Sequence, residues 1–221
     1  MTSAPGSAAR EVAIPVNGAS LPGDLVVPAR SAGLVIFAHG SGSGRRSPRN
    51  RQVAAELNAA GIATLLFDLL TPAEGLDRAN VFDVDLLSGR LAAVTDWVRR
   101  DPGCAGLEIG YFGASTGGAA AIWAAAEPGA EIRALVSRGG RPDLALPRLQ
   151  LVRAPTLLIV GGLDLEVLEL NRRAQARLAA PSALEVVPGA SHLFEEPGTL
   201  ERVAILARDW FLRWLSGPGS R

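Results

Sequence analysis

A serine that could act as a nucleophile lies between a predicted strand and a predicted helix. Ser115 is the centre of the sequence GASTG at residues 113–117, after an apolar run and before a run of small residues. The tight turn that exposes such a serine needs small residues two positions before and after it, and both are glycine here. The N–H groups that begin the following helix would face the oxyanion of an acyl transfer. In a chain with 25 glycines the motif alone is weak, so its strand–helix setting is what favours a nucleophile over an ordinary glycine-rich turn.

A serine hydroxyl also needs a general base, and the chain contains only two histidines. His192 follows the last predicted strand, whereas His39 begins a glycine-rich loop after an earlier strand. We therefore interpret His192 as the base and His39 as a residue that shapes its loop. A carboxylate must fix the tautomer of the base and stabilise its charged form. Asp164 directly follows the strand before the last one, so Ser115, Asp164 and His192 form the predicted triad.

The acid of this triad has alternatives in the sequence. Asp143, after the preceding strand, is the reserve candidate, and Glu166 is a weaker one. Asp164 could instead cap the helix that follows it, because aspartate is common at helix N-caps. The chain order of Ser115, Asp164 and His192 differs from the orders found in chymotrypsin and subtilisin, and we favour Asp164 as the acid.

A glycine-rich loop at residues 39–45, HGSGSGR, is expected to complete an oxyanion hole. We assign one donor to the backbone N–H of Ser41 and the other to that of Thr116. The same loop, with Asp68 at the end of the next strand, has some likeness to a dinucleotide site. That interpretation fails in detail, because Ser47 stands where the third glycine of the fingerprint is required.

Strand-like and helix-like segments alternate along the chain, which predicts an α/β fold with a mostly parallel sheet and helices on both faces. Eight strands are predicted, at 11–16, 21–27, 33–38, 62–67, 107–112, 134–137, 156–160 and 184–187. The helices are predicted at 50–60, 81–100, 116–126, 166–179 and 199–215. We expect one domain over residues 11–215, with flexible tails at 1–10 and 216–221.

Composition excludes several classes of function. The 22 basic and 22 acidic side chains cancel, so we expect neither nucleic acid nor a membrane surface as a partner. The chain has no lysine, which excludes Schiff-base chemistry and a Walker phosphate loop. A disulfide framework and a zinc site of histidine and cysteine lack the residues they need, because there is a single cysteine. No signal peptide or spanning segment is evident, so we expect a cytoplasmic protein. We expect it to use no metal and no cofactor.

Four motifs together resemble a known family. HGSGSGR, GASTGG, GGLD and GASHLFEEPG are similar to the dienelactone-hydrolase-like branch of the α/β-hydrolases, over about residues 11–215. The resemblance implies the α/β-hydrolase fold. Dienelactone hydrolases proper have a cysteine nucleophile, whereas Ser115 stands in that place here. The resemblance therefore implies a small serine esterase.

These residues predict a hydrolase of small carboxylic esters that forms an acyl-enzyme, with lactones, thioesters and peptides left open. The segment between residues 137 and 156 is too short for a separate cap domain, so we expect a shallow, exposed site for short or medium acyl groups. Arg138 and Arg141 could bind a substrate carboxylate, or form a solvated or salt-bridged pair. Phe194 and Leu163 flank the base and the acid, and could line the pocket or belong to the core.

A function of a different class is also open. The scaffold could be a non-catalytic binding protein, because a fold does not determine an activity. The complete set of serine, histidine and aspartate, with its glycine-rich loop, favours the enzyme.

Overall fold

A computed structural model describes residues 8–215, which contain one sheet of eight strands and the helices that pack on it. The strands are β1 (Ala8–Val16), β2 (Ala19–Val27), β3 (Leu34–Ala38), β4 (Ala63–Phe67), β5 (Ile109–Ala114), β6 (Ala134–Arg138), β7 (Thr156–Gly161) and β8 (Ser182–Val187). The α-helices are α1 (Pro48–Ala59), α2 (Arg78–Phe82), α3 (Val84–Arg100), α4 (Thr116–Ala125), α5 (Leu165–Gln175) and α6 (Thr199–Leu215). Short 3-10 helices occur at Glu74–Leu76, Pro102–Cys104 and Pro142–Leu151.

The sheet has the order β1-β2-β4-β3-β5-β6-β7-β8, and its strands are parallel from β4 to β8. Two pairings are antiparallel, that of β1 with β2 in the opening hairpin and that of β2 with β4. Every residue of the strands β3 to β7 is buried. These strands are mostly apolar because helices cover both faces of a parallel sheet. The predicted fold class is confirmed.

Two apolar layers hold the helices to the sheet. One face packs against α3 and α4, through residues such as Leu91, Val94 and Ile122. The other packs against α1 and α6, through residues such as Leu57 and Phe211. The two layers clamp the central strands, so the loops at the carboxyl ends of those strands start from fixed positions.

The strand order places two of the predicted site loops side by side. From β3, the chain passes to β4 on one side of it and later to β5 on the other. This is the topological switch point, where ligands bind in open α/β sheets. Ala38, the last residue of β3, pairs with Gly113 of β5. The glycine-rich loop and Ser115 therefore emerge next to each other.

Some predicted boundaries are wrong. Residues 8–10 belong to β1 and are not part of a tail, while the tail residues 1–7 and 216–221 lie outside the described residues. The predicted helix 81–100 is divided by Asp83, whose carboxylate accepts the N–H of Leu86 and starts α3 as its N-cap. Within residues 8–215, no helix has the length and apolarity that crossing a membrane requires.

Candidate active site

Ser115 occupies a strained turn between β5 and α4. Its φ of 51° and ψ of −120° lie in a region that side chains other than glycine rarely adopt. Three backbone hydrogen bonds hold it there. The N–H of Ser115 donates to the carbonyl of Arg138 over 3.2 Å, and its own carbonyl accepts from Gly118 at 2.9 Å and from Arg141 at 3.2 Å. The hydroxyl is thus carried on a backbone that β6 and α4 fix from both sides.

The glycines on either side of Ser115 are required by close backbone contacts. A Cβ on Gly117 would lie 2.1 Å from the carbonyl oxygen of Ala38 and 2.5 Å from that of His39. A Cβ on Gly113 would lie 2.5 Å from the carbonyl oxygen of Gly117. Because all of these neighbours are backbone atoms, none can move aside without shifting a strand or the helix.

We expect the substitution Gly117→Ala to destabilise the protein by about 3 kcal/mol, since its methyl group overlaps the end of β3. Urea unfolding of the purified variant measures this change. Gly89→Ala is the matched control, because Gly89 lies in α3 with nothing within 4 Å of its added Cβ. The control should gain roughly 0.5 to 1 kcal/mol from helix propensity. Equal stability of the two variants would contradict the close-contact argument.

His192 and Asp164 form a hydrogen-bonded pair. The distance from His192 Nδ1 to Asp164 Oδ2 is 2.6 Å, and the side chains are 38% and 15% exposed. A carboxylate can only accept, so Nδ1 carries the proton and Nε2 is the nitrogen that can accept one. Asp164 stands at the N-cap of α5, but its side chain makes no capping hydrogen bond. The carboxylate is therefore used for the histidine and not for the helix.

The imidazole lies beside the Ser115 turn. A Cβ built on Gly139 would be 3.4 Å from Cε1 of His192 and 3.5 Å from Nδ1, so the ring packs over this glycine. Gly139 follows Arg138, whose carbonyl accepts the N–H of Ser115. The three predicted triad residues thus gather at the carboxyl ends of β5, β7 and β8.

The reserve acids have other surroundings. The carboxylate of Asp143 binds the guanidinium of Arg141 through two hydrogen bonds of 2.8 and 2.7 Å. Glu166 lies in the first turn of α5. The bond to Asp143 raises the pKa of Arg141 and occupies one edge of its guanidinium. Arg141 is thus the salt-bridged residue that the sequence left as an alternative to substrate binding.

The two predicted oxyanion donors are in contact with each other. Thr116 is the first residue of α4, so its N–H has no acceptor within the helix. The N–H of Ser41 donates to the Thr116 hydroxyl oxygen over 3.0 Å. Ser41 can therefore bind an oxyanion only by sharing or exchanging this bond, which the sequence did not indicate.

His39 ties the glycine-rich loop to the chain after β4. Its Nε2 accepts the N–H of Leu69 over 2.9 Å, and its Nδ1 lies 3.0 Å from the carbonyl oxygen of Gly40. The ring is thus the tautomer protonated on Nδ1. Burial lowers the pKa of His39, which keeps the ring neutral so that Nε2 can accept. This arrangement agrees with a loop-shaping role.

The remaining predicted binding residues differ in their exposure. Phe194 is 2% exposed and packs in the layer under α1 and α6, so it is a core residue. Leu163 is 66% exposed. The guanidinium of Arg138 lies 5.8 Å from the ring centre of Phe194, and burial lowers its pKa to about 10. Its Nε has no hydrogen-bond partner among the described residues.

Sequence reasoning missed one wall of the site. The segment between β4 and α3 faces the glycine-rich loop across a cavity of about 270 Å³, which Thr116 also lines. The expected shallow, exposed site is therefore partly covered by this segment. No local signal could show this, because a strand–helix connection carries no pattern for its direction. Among residues 8–215, no three histidine, cysteine, aspartate or glutamate side chains are grouped to hold a metal ion.

No protein-family model matches the chain. Curated relatives from two strains of Mycobacterium tuberculosis, each named "Putative phosphoribosyl transferase", are 60% identical over 209 residues. The match covers 95% of this chain but 47% of each relative, so the chain spans about half the length of the curated relatives it matches. Their printed name describes proteins about twice as long.

A solved structure of dienelactone hydrolase from Anabaena variabilis is 52% identical, with a TM-score of 0.91 over 94% of this chain and 98% of that one. The chain belongs to the dienelactone-hydrolase-like branch of the α/β-hydrolases. This α/β-hydrolase is also similar to Est1E from Butyrivibrio proteoclasticus, at 18% identity and a TM-score of 0.79 over 92% of this chain and 98% of that one. At that identity the likeness concerns the fold alone. The predicted family resemblance is confirmed.

Proposed function

We propose that this hydrolase cleaves small carboxylic esters through an acyl-enzyme formed on Ser115. The observation that carries the proposal is the 2.6 Å bond between His192 and Asp164, beside a serine held at a φ of 51°. A paired imidazole and carboxylate next to a strained, half-buried serine are the parts that nucleophilic acyl transfer needs. Lactones and thioesters would react by the same steps.

In the proposed first half-reaction, Nε2 of His192 takes the proton of the Ser115 hydroxyl as its oxygen attacks the ester carbonyl carbon. The resulting imidazolium is stabilised by Asp164. When the tetrahedral intermediate collapses, the bond from carbon to the alkoxy oxygen breaks, and His192 gives its proton to the leaving alcohol. In the second half-reaction, His192 takes a proton from water, which releases the acid and restores Ser115.

The oxyanion of both intermediates would be held by backbone donors. The N–H of Thr116 lies at the positive end of α4, where negative charge is stabilised. The N–H of Ser41 is the second donor, and it is held close to the first by its bond to the Thr116 hydroxyl. That hydroxyl therefore positions the glycine-rich loop before substrate arrives.

A fluorophosphonate probe tests the proposal directly. We expect one covalent adduct, found on Ser115 by peptide mass spectrometry, and hydrolysis of p-nitrophenyl acetate by the same preparation. A folded protein that neither reacts with the probe nor hydrolyses the ester would contradict the proposal. That outcome would favour the non-catalytic binding protein.

The Thr116 hydroxyl offers a separate prediction. The substitution Thr116→Val keeps the shape but removes the acceptor for the Ser41 N–H, so we expect kcat for p-nitrophenyl acetate to fall roughly tenfold. Thr116→Ser, which retains the hydroxyl, should keep most of the rate. Steady-state kinetics of both variants measure the effect. Equal rates in the two variants would show that this bond does not position the loop.

A further inference from the structure

The cavity beside the glycine-rich loop has a definite place relative to the proposed reaction. It is lined on one side by residues 39–43 and Thr116, and on the other by the segment that follows β4. It therefore touches both proposed oxyanion donors, Ser41 and Thr116. Of the described residues that line it, none comes from the loops that carry His192 and Asp164.

This placement tells which part of an ester would enter the cavity. In the tetrahedral intermediate the leaving oxygen must face His192, because it receives its proton from that residue. The oxyanion faces Thr116 and Ser41, and the acyl chain takes the remaining position of the tetrahedral carbon, away from the leaving oxygen and His192. We infer that the cavity is the acyl-binding pocket, and that it takes neutral, apolar acyl groups of short to medium length. This inference rests on the acyl-enzyme proposed above for Ser115.

The lining of the cavity selects against charge. Its far wall and floor are mainly aliphatic, with Leu69, Leu70, Pro72, Val81 and Leu87. No arginine lines it among the described residues, and the chain has no lysine. An acyl chain that ends in a carboxylate would be desolvated there without a cation to pair with.

The one carboxylate in the lining strengthens this selection. Asp68 accepts the backbone N–H of Arg45 at 2.7 Å, and its second oxygen lies 3.4 Å from Nε of the same arginine. Its charge is thus already paired. A second carboxylate brought into the cavity would meet Asp68 and no cation of its own, so a carboxylated acyl group should be disfavoured relative to a neutral one.

The far wall of the pocket is anchored to other elements by hydrogen bonds. Glu74 pairs with Arg90 at 2.6 Å and accepts the N–H of Thr71 at 2.9 Å. The hydroxyl of Thr71 in turn accepts the N–H of Glu74, and His39 holds Leu69. At about 30 Å³ for each water-sized group, the cavity of about 270 Å³ holds roughly nine such groups, which corresponds to an acyl chain of short to medium length.

A substitution of Val81 should change the volume of the cavity with little effect on the fold. Val81 lines the cavity, is half-buried and lies in the short helix α2. We would measure kcat/KM for p-nitrophenyl esters from acetate to decanoate in wild type, Val81→Phe and Val81→Ala. The ratio for hexanoate over acetate should fall about tenfold or more in Val81→Phe and rise a few-fold in Val81→Ala. Phe82→Ala is the control, since Phe82 is its exposed neighbour and does not line the cavity.

Two further substrate series separate the possible outcomes. Acetates of alcohols of increasing length should be unaffected by Val81→Phe, because the alcohol leaves on the His192 side. Mono-p-nitrophenyl succinate should react about tenfold more slowly than the neutral butyrate, owing to its buried carboxylate. The pocket assignment would be wrong if Val81→Phe changed the dependence of kcat/KM on alcohol length and not on acyl length. It would also be wrong if the succinate reacted faster than the butyrate. If the probe labels Ser115 but the Val81 variants keep the acyl-length preference of the wild type, this inference alone is wrong. If the probe does not label Ser115, the proposed function is wrong.

Discussion

Replacing Ser115 by alanine should lower kcat for p-nitrophenyl acetate by a factor on the order of 10⁵ to 10⁶, to the level left by binding and oxyanion donors alone. The substitution removes only the hydroxyl oxygen. The three backbone hydrogen bonds that hold this turn do not involve the side chain, so the fold should be retained. Fluorophosphonate labelling should disappear together with the ester hydrolysis.

The matched control for this experiment is Ser20→Ala, in the exposed part of β2 far along the sheet from Ser115. We expect its rate and its labelling to equal those of the wild type. Circular dichroism and thermal unfolding would show that both variants are folded. Substantial hydrolysis by Ser115→Ala, with kcat within tenfold of the wild type, would mean that another group is the nucleophile.

Asp164→Asn should lower kcat about 10³- to 10⁴-fold while KM changes little. An asparagine can offer its amide N–H to His192 Nδ1, which favours the tautomer that carries its proton on Nε2. That tautomer cannot take the proton of Ser115. The neutral amide also fails to stabilise the imidazolium that forms in both half-reactions. Steady-state kinetics on p-nitrophenyl acetate, with thermal unfolding as a check on the fold, measures this.

Asp143→Asn separates the two candidate acids. Asp143 is bound to Arg141 through two hydrogen bonds, so its loss should change kcat by less than about tenfold. If Asp143→Asn had the larger effect of the two, the assignment of the acid would pass to the reserve candidate. A large effect of both would indicate that the loop after β6 must be ordered for catalysis.

The sequence by itself determined the fold class, and it placed the candidate site residues at the ends of particular strands. Strands covered on both faces must be largely apolar, and this requirement is local, so the central strands β3 to β7 could be recognised in the chain. The carboxyl ends of parallel strands meet at one edge of the sheet, so Ser115, Asp164 and His192 could be expected together. The glycines around Ser115 could be interpreted for the same reason, because the turn that requires them is only five residues long.

The tertiary structure decided how those residues are paired and what encloses them. Asp164 and His192 are 28 residues apart, and Ser41 and Thr116 are 75 apart. Whether Asp143 or Asp164 reaches the histidine depends on the paths of two loops, and Arg141 turned out to hold Asp143. The segment after β4 became a pocket wall because His39 and Arg90 bind it from other parts of the chain. An apolar pattern is a property of a few neighbouring residues, so the sequence shows it directly. A hydrogen bond between distant loops depends on the position of every element that separates them.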